Sequence, residues 1–464
     1  MRRAFIFDAN RCTGCSACEL ACSIENRLGT ERSWRGVLTF NDRGLPGAPL
    51  FHLSLACNHC ETAACMASCP ALAYERDAVT GAVLIRQELC IGCGYCSWVC
   101  PYGAPQFEPE NGVMGKCTFC SHRLARGQKP ACADLCPTGA LDFAELPEDL
   151  LSASIEGMPH TDLGPSIRIL PLERRSVPTG STAAPIVAEA APVRPASREP
   201  RIDLGGEWSL AVFTFLLAVL FGALATDVAG AGAVPPLWFA GMAAAAAVLS
   251  LQHLGRPRRA WRALLGLRSS PVSREVLGFG ALASLGTLAL AWPRPETSFL
   301  LGCLALGAGA LALVAADLVY RPVYPRGSPL LHSGGVLCTG LYLAGLGAGA
   351  GWLAGGVGLF KLVRYVGRGA LGRPPAVAGA LRIFLGLLLP AIAWSVGGAP
   401  LGLWVLGAAL IGEAIDRAGF YTDLEIVSPA RQMRKDLQVH LATAASAQSA
   451  VGPAIRSTAS ASSS

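Results

Sequence analysis

Hydropathy divides this chain in two near residue 206. Before that point apolar residues come in short runs such as Val83-Leu84-Ile85 among polar and turn-forming positions, the pattern of small strands, short helices and loops. After Trp208, apolar stretches of bilayer-crossing length follow one another to about Ala418, separated by short turns rich in Arg or in Gly and Pro. They run over 208–226, 236–254, 275–292, 298–318, 330–348, 351–367, 380–397 and 400–417, eight spans in all. From about Ser176 to Arg201 the chain turns to Pro, Ala, Ser and Thr without periodicity, which reads as a linker. The expected organisation is a soluble domain over 1–165, a linker over 166–205, a helical domain over 206–425 and a flexible tail over 426–464.

The sixth span holds Lys361 and Arg364 and is the weakest by hydropathy. Counting it restores order to the charges. With eight alternating spans, Arg256, Arg258, Arg259, Arg262, Arg268, Arg274, Arg321, Arg326, Lys361, Arg364, Arg368, Arg373, Arg417, Arg431, Arg434 and Lys435 fall on one side, and essentially only Arg294 on the other. With seven spans that order is lost. The basic side is the cytoplasmic one, and Arg194, Arg198 and Arg201 ahead of the first span put the amino-terminal domain there too. The expectation is a multi-pass protein of the cytoplasmic membrane, in contact with lipid. Met1-Arg2-Arg3 is not read as an export signal, because Asp8 and Cys12 arrive before any apolar segment. At net +6 and 15% charged residues, no long basic run points to nucleic acid.

Sixteen of the eighteen cysteines lie in the first 136 residues, as Cys12-Cys15-Cys18-Cys22, Cys57-Cys60-Cys65-Cys69, Cys90-Cys93-Cys96-Cys100 and Cys117-Cys120-Cys132-Cys136. Two of these motifs repeat the C-x2-C-x2-C-x3-C run of bacterial ferredoxins, and the other two are stretched only between the second and third cysteine. Three thiolates on such a loop reach three corners of one cubane. The fourth cysteine is expected to open a helix toward a second cluster, with Pro70, Pro101 and Pro137 at the helix start and Ser23 in that place in the first motif. Disulfides do not suit cysteines packed at two-residue gaps, and zinc knuckles do not need so many thiolates. Four 4Fe-4S clusters are the natural count. By analogy with two-cluster ferredoxins, motifs exchange their fourth cysteine, giving the expected sets Cys12/Cys15/Cys18/Cys136, Cys117/Cys120/Cys132/Cys22, Cys57/Cys60/Cys65/Cys100 and Cys90/Cys93/Cys96/Cys69. Cys303 and Cys338, alone in apolar segments, read as packing residues. The fold class is then α+β, a ferredoxin-like four-cluster domain, followed by an all-α polytopic membrane domain of about eight transmembrane helices.

The residues carry a family resemblance. Lys116-Cys117-Thr118-Phe119-Cys120, His122-Arg123-Leu124, Pro130-Ala131-Cys132 and Cys136-Pro137-Thr138-Gly139-Ala140-Leu141 resemble the four-cluster electron-transfer subunit of dimethyl sulfoxide reductase-type molybdopterin oxidoreductases. Some relatives hold a three-iron cluster on one motif; here all sixteen positions are cysteine. The second half resembles the eight-helix anchor subunit of the same complexes at Gly206-Glu207-Trp208, Leu251-Gln252-His253-Leu254-Gly255-Arg256-Pro257, Ser273-Arg274-Glu275, Gly412-Glu413 and Arg417-Ala418-Gly419-Phe420-Tyr421. The departure is fusion: relatives usually carry the two parts as separate chains.

His253 and Glu275 bracket one short turn, and the resemblance matches them to anchor positions associated with menaquinol. Quinol oxidation releases two protons with two electrons, so a histidine or carboxylate must take protons near the ring while a cluster takes the electrons. From the residues alone, a histidine capping a helix beside a solvated glutamate is an equal reading. Arg256 could polarise a carbonyl of menaquinol's oxidised form or of ubiquinone, whereas Arg258, Arg259 and Arg262 read as topology-setting charges. His253 and His332 could in principle ligate haem, but the resembled anchor is haem-free and no haem is expected.

The resemblance implies a relay between the quinone pool and a separate molybdopterin-containing catalytic subunit, since too little of the chain remains to hold molybdopterin itself. A cytoplasm-facing sulfite dehydrogenase subunit passing electrons to quinone is a second reading. A membrane-tethered polyferredoxin scaffold without quinone chemistry is a third. Protein purified without oxygen should contain about sixteen irons per chain, four cubanes of four, with cubane signals on reduction. Far fewer irons and silent spectra contradict the cluster count.

Overall fold

The computed structural model describes residues 1–29, 31–45, 48–173, 202, 204–324, 327–369, 376–397 and 402–459. Most of the expected linker, with Arg194, Arg198 and Arg201, lies outside the described residues, as do Arg326 and Arg373.

The amino-terminal domain is ferredoxin-like and is built on strand Arg2–Phe7. That strand pairs antiparallel with Leu141–Leu146 and parallel with Ile167–Ile169, which ties residues distant in sequence into one small sheet. The third strand lies just past the boundary expected at residue 165. Phe5, Phe119 and Phe143 pack edge-to-face at 5.2–5.3 Å between centroids, and the His59 ring lies 3.7 Å from Phe119. Three hairpins, Gly36–Phe40 with Phe51–Leu55, Tyr74–Arg76 with Val83–Ile85, and Gln106–Glu108 with Val113–Gly115, fill the space between the cysteine loops.

Helices stand at all eight expected positions: α1 Trp208–Val228, α2 Pro236–Gln252, α3 Pro271–Ala291, α4 Pro295–Val319, α5 Val336–Gly347, α6 Gly351–Gly369, α7 Ala376–Gly397 and α8 Leu403–Thr422. Proline opens α2, α3 and α4 at the first helical position, where its missing N–H costs nothing. Among the described residues five helices, those containing α1, α3, α4, α5 and α7, are long and apolar enough to cross a membrane. A sixth counts if α2 is joined to the 3-10 helix Pro257–Leu264, to which it is bent by 104°. Helices α6 and α8 fall outside that set because they carry charge at mid-length.

Those charges neutralise one another. Lys361 of α6 lies 2.7 Å from Glu413 and 3.5 Å from Asp416 of α8, and Arg382 of α7 lies 2.7 Å from Asp416, with every partner fully buried. Thr339 donates to Glu413 at 2.9 Å and Ser333 to Asp416 at 2.9 Å. The approach of α7 to α8 needs glycine at 412, because a Cβ there would collide with the Gly386 backbone. Gly386 lies in a π-helical turn, Phe384–Leu388, and its carbonyl accepts the Tyr342 hydroxyl at 2.7 Å.

The cluster domain rests on the Arg-rich helix ends. The tail expected to be flexible from residue 426 is instead helical: α9, Pro429–Ala459, follows α8 and buries Met433 in the core of the cluster domain. Gly157 N–H donates to Asp436 at 2.7 Å, and His440 packs edge-on to Phe40. The reason is a partly apolar face, Met433 with Leu437 one turn on, that the low overall hydropathy of the tail conceals.

Removing one member of the ion cluster leaves a buried charge behind. Lys361→Met is expected to cost about 3–5 kcal/mol, read as a large fall in melting temperature in detergent, with much of it recovered by Lys361→Met combined with Glu413→Gln. Equal melting temperatures for the single and double variants contradict the pairing.

Candidate cluster sites and the adjoining cavity

All four cysteine motifs share one backbone design. The residue just before the second cysteine is left-handed in each: Gly14 (φ 70°), His59 (42°), Gly92 (70°) and Phe119 (58°). This reverses the loop so that the first two thiols point the same way, a conformation easy for glycine and strained for His59 and Phe119. The third cysteine is always the second residue of a short helix, Cys18 in Ala17–Glu25, Cys65 in Ala64–Ala67, Cys96 in Tyr95–Val99 and Cys132 in Ala131–Asp134. The fourth follows four residues later, one turn along the same face.

This corrects the expectation that the fourth cysteine opens a helix. It closes one. Pro70, Pro101 and Pro137 follow it because proline cannot continue a helix. Ser23 takes that place in the first motif, and only there does the helix run on, to Glu25.

The fold brings thiols of different motifs together. Cys57, Cys60, Cys65 and Cys100 line a single pocket of about 340 Å³ of non-atom space, its opening included. Cys69, Cys90 and Cys93 face one another, as do Cys22, Cys120 and Cys132, and Cys12 faces Cys15 and Cys136. Thiols of the second and third motifs thus lie together, and so do thiols of the first and fourth. All sixteen thiols are free of disulfides. Among the described residues no three metal-capable side chains converge as for a single ion. A cubane presents its four irons at separate corners, so its thiolates stand wider apart than around one metal.

The donor set suits such a group. Backbone N–H groups of His59, Ala73, Gly92 and Leu141 each lie 3.4 Å from a thiol sulfur, of Cys57, Cys69, Cys90 and Cys136 respectively. Burial pushes Cys60 up to about 12 and Cys100 and Cys120 up to about 11, so free thiolates there are disfavoured and metal binding must release protons.

Electrostatic proximity between thiols of neighbouring sets arranges them in a row. Cys18 faces Cys132, Cys117 faces Cys57, and Cys96 faces Cys65. The order therefore runs from the Cys12 site through the Cys117 site and the Cys57 site to the Cys90 site. At the first end Cys15 is exposed.

At the other end Cys93 lines a cavity shared with the helices, about 860 Å³ of non-atom space with its mouth included. Leu210, Phe213, Leu251, Leu254, Val272 and Phe279 make it apolar; Tyr95, Trp98 and Tyr320 supply aromatic walls; His253 and Glu275 supply the polar groups. Glu275 is buried, and among the described residues its carboxylate has no hydrogen bond or ion pair. His253 Nδ1 is buried without a hydrogen-bond partner. His253 also lines a second, open groove between the domains, so its ring stands between the apolar cavity and solvent.

Arg256 is absent from the cavity lining. Its Nε donates to the Asn111 carbonyl at 2.6 Å, which corrects the expectation that it polarises a carbonyl in this site. The neighbouring arginines do the same work: Arg259 donates to the carbonyls of Gln87 and Cys90, and Arg262 to that of Ala71. Backbone joins backbone beside them, Gly255 N–H to Gly92 at 3.3 Å and Arg256 N–H to Ile91 at 3.1 Å. Cys93 and the aromatic walls escaped sequence reasoning because their place depends on how the two domains dock. The Arg-rich turn was the available signal. His332 pairs with Asp423 at 3.2 Å, away from His253 and the cavity. Cys338 is buried and Cys303 exposed on α4.

Comparison with known proteins agrees with this geometry. Residues 49–146 match a family described as a 4Fe-4S dicluster domain. The protein is 41% identical over 172 residues to the B subunit of the anaerobic dimethyl sulfoxide reductase of Haemophilus influenzae, covering 34% of this sequence and 83% of that one. The corresponding B subunit of Escherichia coli K12 is 40% identical over 193 residues, 38% of this sequence and 92% of the relative. The thiosulfate reductase electron transfer subunit PhsB of Salmonella typhi is 40% identical over 147 residues, 31% and 76%. The greater part of this protein lies outside each match.

A side chain at Gly255 would collide with the Gly112 backbone. Gly255→Ala is therefore expected to loosen the docking by about 1–3 kcal/mol, measured as a lower melting temperature and faster proteolysis in the 253–270 turn at unchanged iron content. Unchanged melting and cleavage contradict this contact.

Proposed function

Because the chain belongs to the iron-sulfur electron-transfer subunits of dimethyl sulfoxide reductase-type molybdopterin oxidoreductases, we propose that it relays electrons between the quinone pool and a separate molybdopterin catalytic subunit, and anchors that subunit to the membrane. The observation that carries this reading is the cavity where Cys93 meets His253 and Glu275. Electron acceptor and proton acceptors stand around one apolar space, as quinol oxidation requires.

The sixteen cysteines would hold four 4Fe-4S clusters, which pass single electrons. The chain's own residues do the rest. The apolar walls admit the ring and the start of its isoprenoid tail, menaquinol or ubiquinone, and Trp98 and Tyr320 flank it. His253 and Glu275 receive the two protons, and His253, open to the neighbouring groove, returns its proton to water. The exposed end, with Cys15, suits the docking face for the catalytic partner.

Five helices, or six with the bent pair, are long and apolar enough to cross a membrane and support anchoring; we read α6 and α8, neutralised by the ion cluster, as crossings too, and the Arg-rich ends under the cluster domain support its cytoplasmic placement. Substrate reduction or oxidation, whether of a sulfoxide, thiosulfate or sulfite, belongs to the partner, and the same relay serves either direction.

His253→Ala with Glu275→Gln should lower quinol-dependent reduction of the clusters by about 10²-fold or more, while dithionite reduces them fully and iron content holds. Undiminished quinol turnover favours a scaffold without quinone chemistry.

A further inference from the structure

Two cations in the cluster domain are buried without a carboxylate. Arg35 is 2% exposed and Lys116 3%. Among the described residues neither has an acidic oxygen within 4 Å, whereas Lys361 and Arg382, equally buried in the helices, have two each. An unpaired buried charge is costly enough that an opposite charge must lie nearby.

The surroundings of both are thiols. Arg35 faces Cys132, Cys117 and Cys18; its Cζ lies 4.4 Å over the Phe5 ring and Nη1 donates to Ser54 at 3.1 Å, whose hydroxyl is 3.3 Å from Cys18. Its Nε and Nη2 have no hydrogen-bond partner. Lys116 donates to the carbonyls of Val83 and Cys117, and faces Cys65 and Cys100. The two cations thus sit beside the two inner sites of the row.

We infer that Arg35 and Lys116 are the counter-charges of the two inner clusters and set their reduction potentials, Arg35 at the Cys22/Cys117/Cys120/Cys132 site and Lys116 at the Cys57/Cys60/Cys65/Cys100 site. The inference rests on the cluster reading above. Reduction adds one electron, and so one negative charge, to a cluster already negative through its thiolates. A fixed cation alongside, shielded from water, favours the reduced form. The inner steps are thereby kept accessible to electrons entering from either end, although the protein around them is dry.

The test is a potentiometric titration of the full chain in detergent, followed by electron paramagnetic resonance, for Arg35→Met, Arg35→Lys, Lys116→Met and Lys116→Arg. Each methionine variant should make one inner cluster at least tenfold harder to reduce, about 59 mV for a one-electron couple, and each charge-keeping variant should stay within threefold of the unsubstituted protein. Unchanged potentials in methionine variants that retain their iron overturn the inference. If a methionine variant loses iron, assembly of its charge-keeping counterpart supports the role of charge, and failure of both shows that shape alone matters and overturns it. Fewer than sixteen irons in the unsubstituted protein would instead sink the cluster reading itself.

Discussion

The meeting of three glycines, Gly92, Gly112 and Gly255, is the contact on which the functional geometry depends. None of them can carry a Cβ without striking the backbone of another, so the loop of the third cysteine motif lies directly on the turn after α2. That closeness brings Cys93 to the wall of a cavity otherwise made by helices. Arginine side chains reinforce it by reaching across to carbonyls of the cluster loops. The loop and the turn are thereby held together backbone to backbone.

Much of this was legible in the chain itself. Cysteine spacing marked the four motifs, whereas the pairing of motifs came from analogy with two-cluster ferredoxins. Hydropathy located all eight helices to within a few residues. The pairing of Lys361 with Glu413 was not legible, since the two are 52 positions apart and only packing of α6 against α8 brings them together. Strand Ile167–Ile169 escaped for a similar reason: three residues show no period, and their stability comes from Arg2–Phe7, at the far end of the domain.

Two misreadings are instructive. Proline after the fourth cysteine suits a helix start and a helix stop equally, and the difference is decided by the preceding turn, where the third cysteine already occupies the second helical position. Arg256 looked like a reagent because it neighbours His253 in sequence. A three-residue step past a helix end reverses direction, however, and its guanidinium points into the cluster domain rather than the cavity.

Helix α9 has one consequence for how the molecule comes into being. Met433 belongs to the core of the cluster domain, yet it is translated after every one of the eight helices. A domain that precedes the helices in the chain is therefore finished only after them, and the side of its core that Met433 covers stays open until the entire bundle has been synthesised.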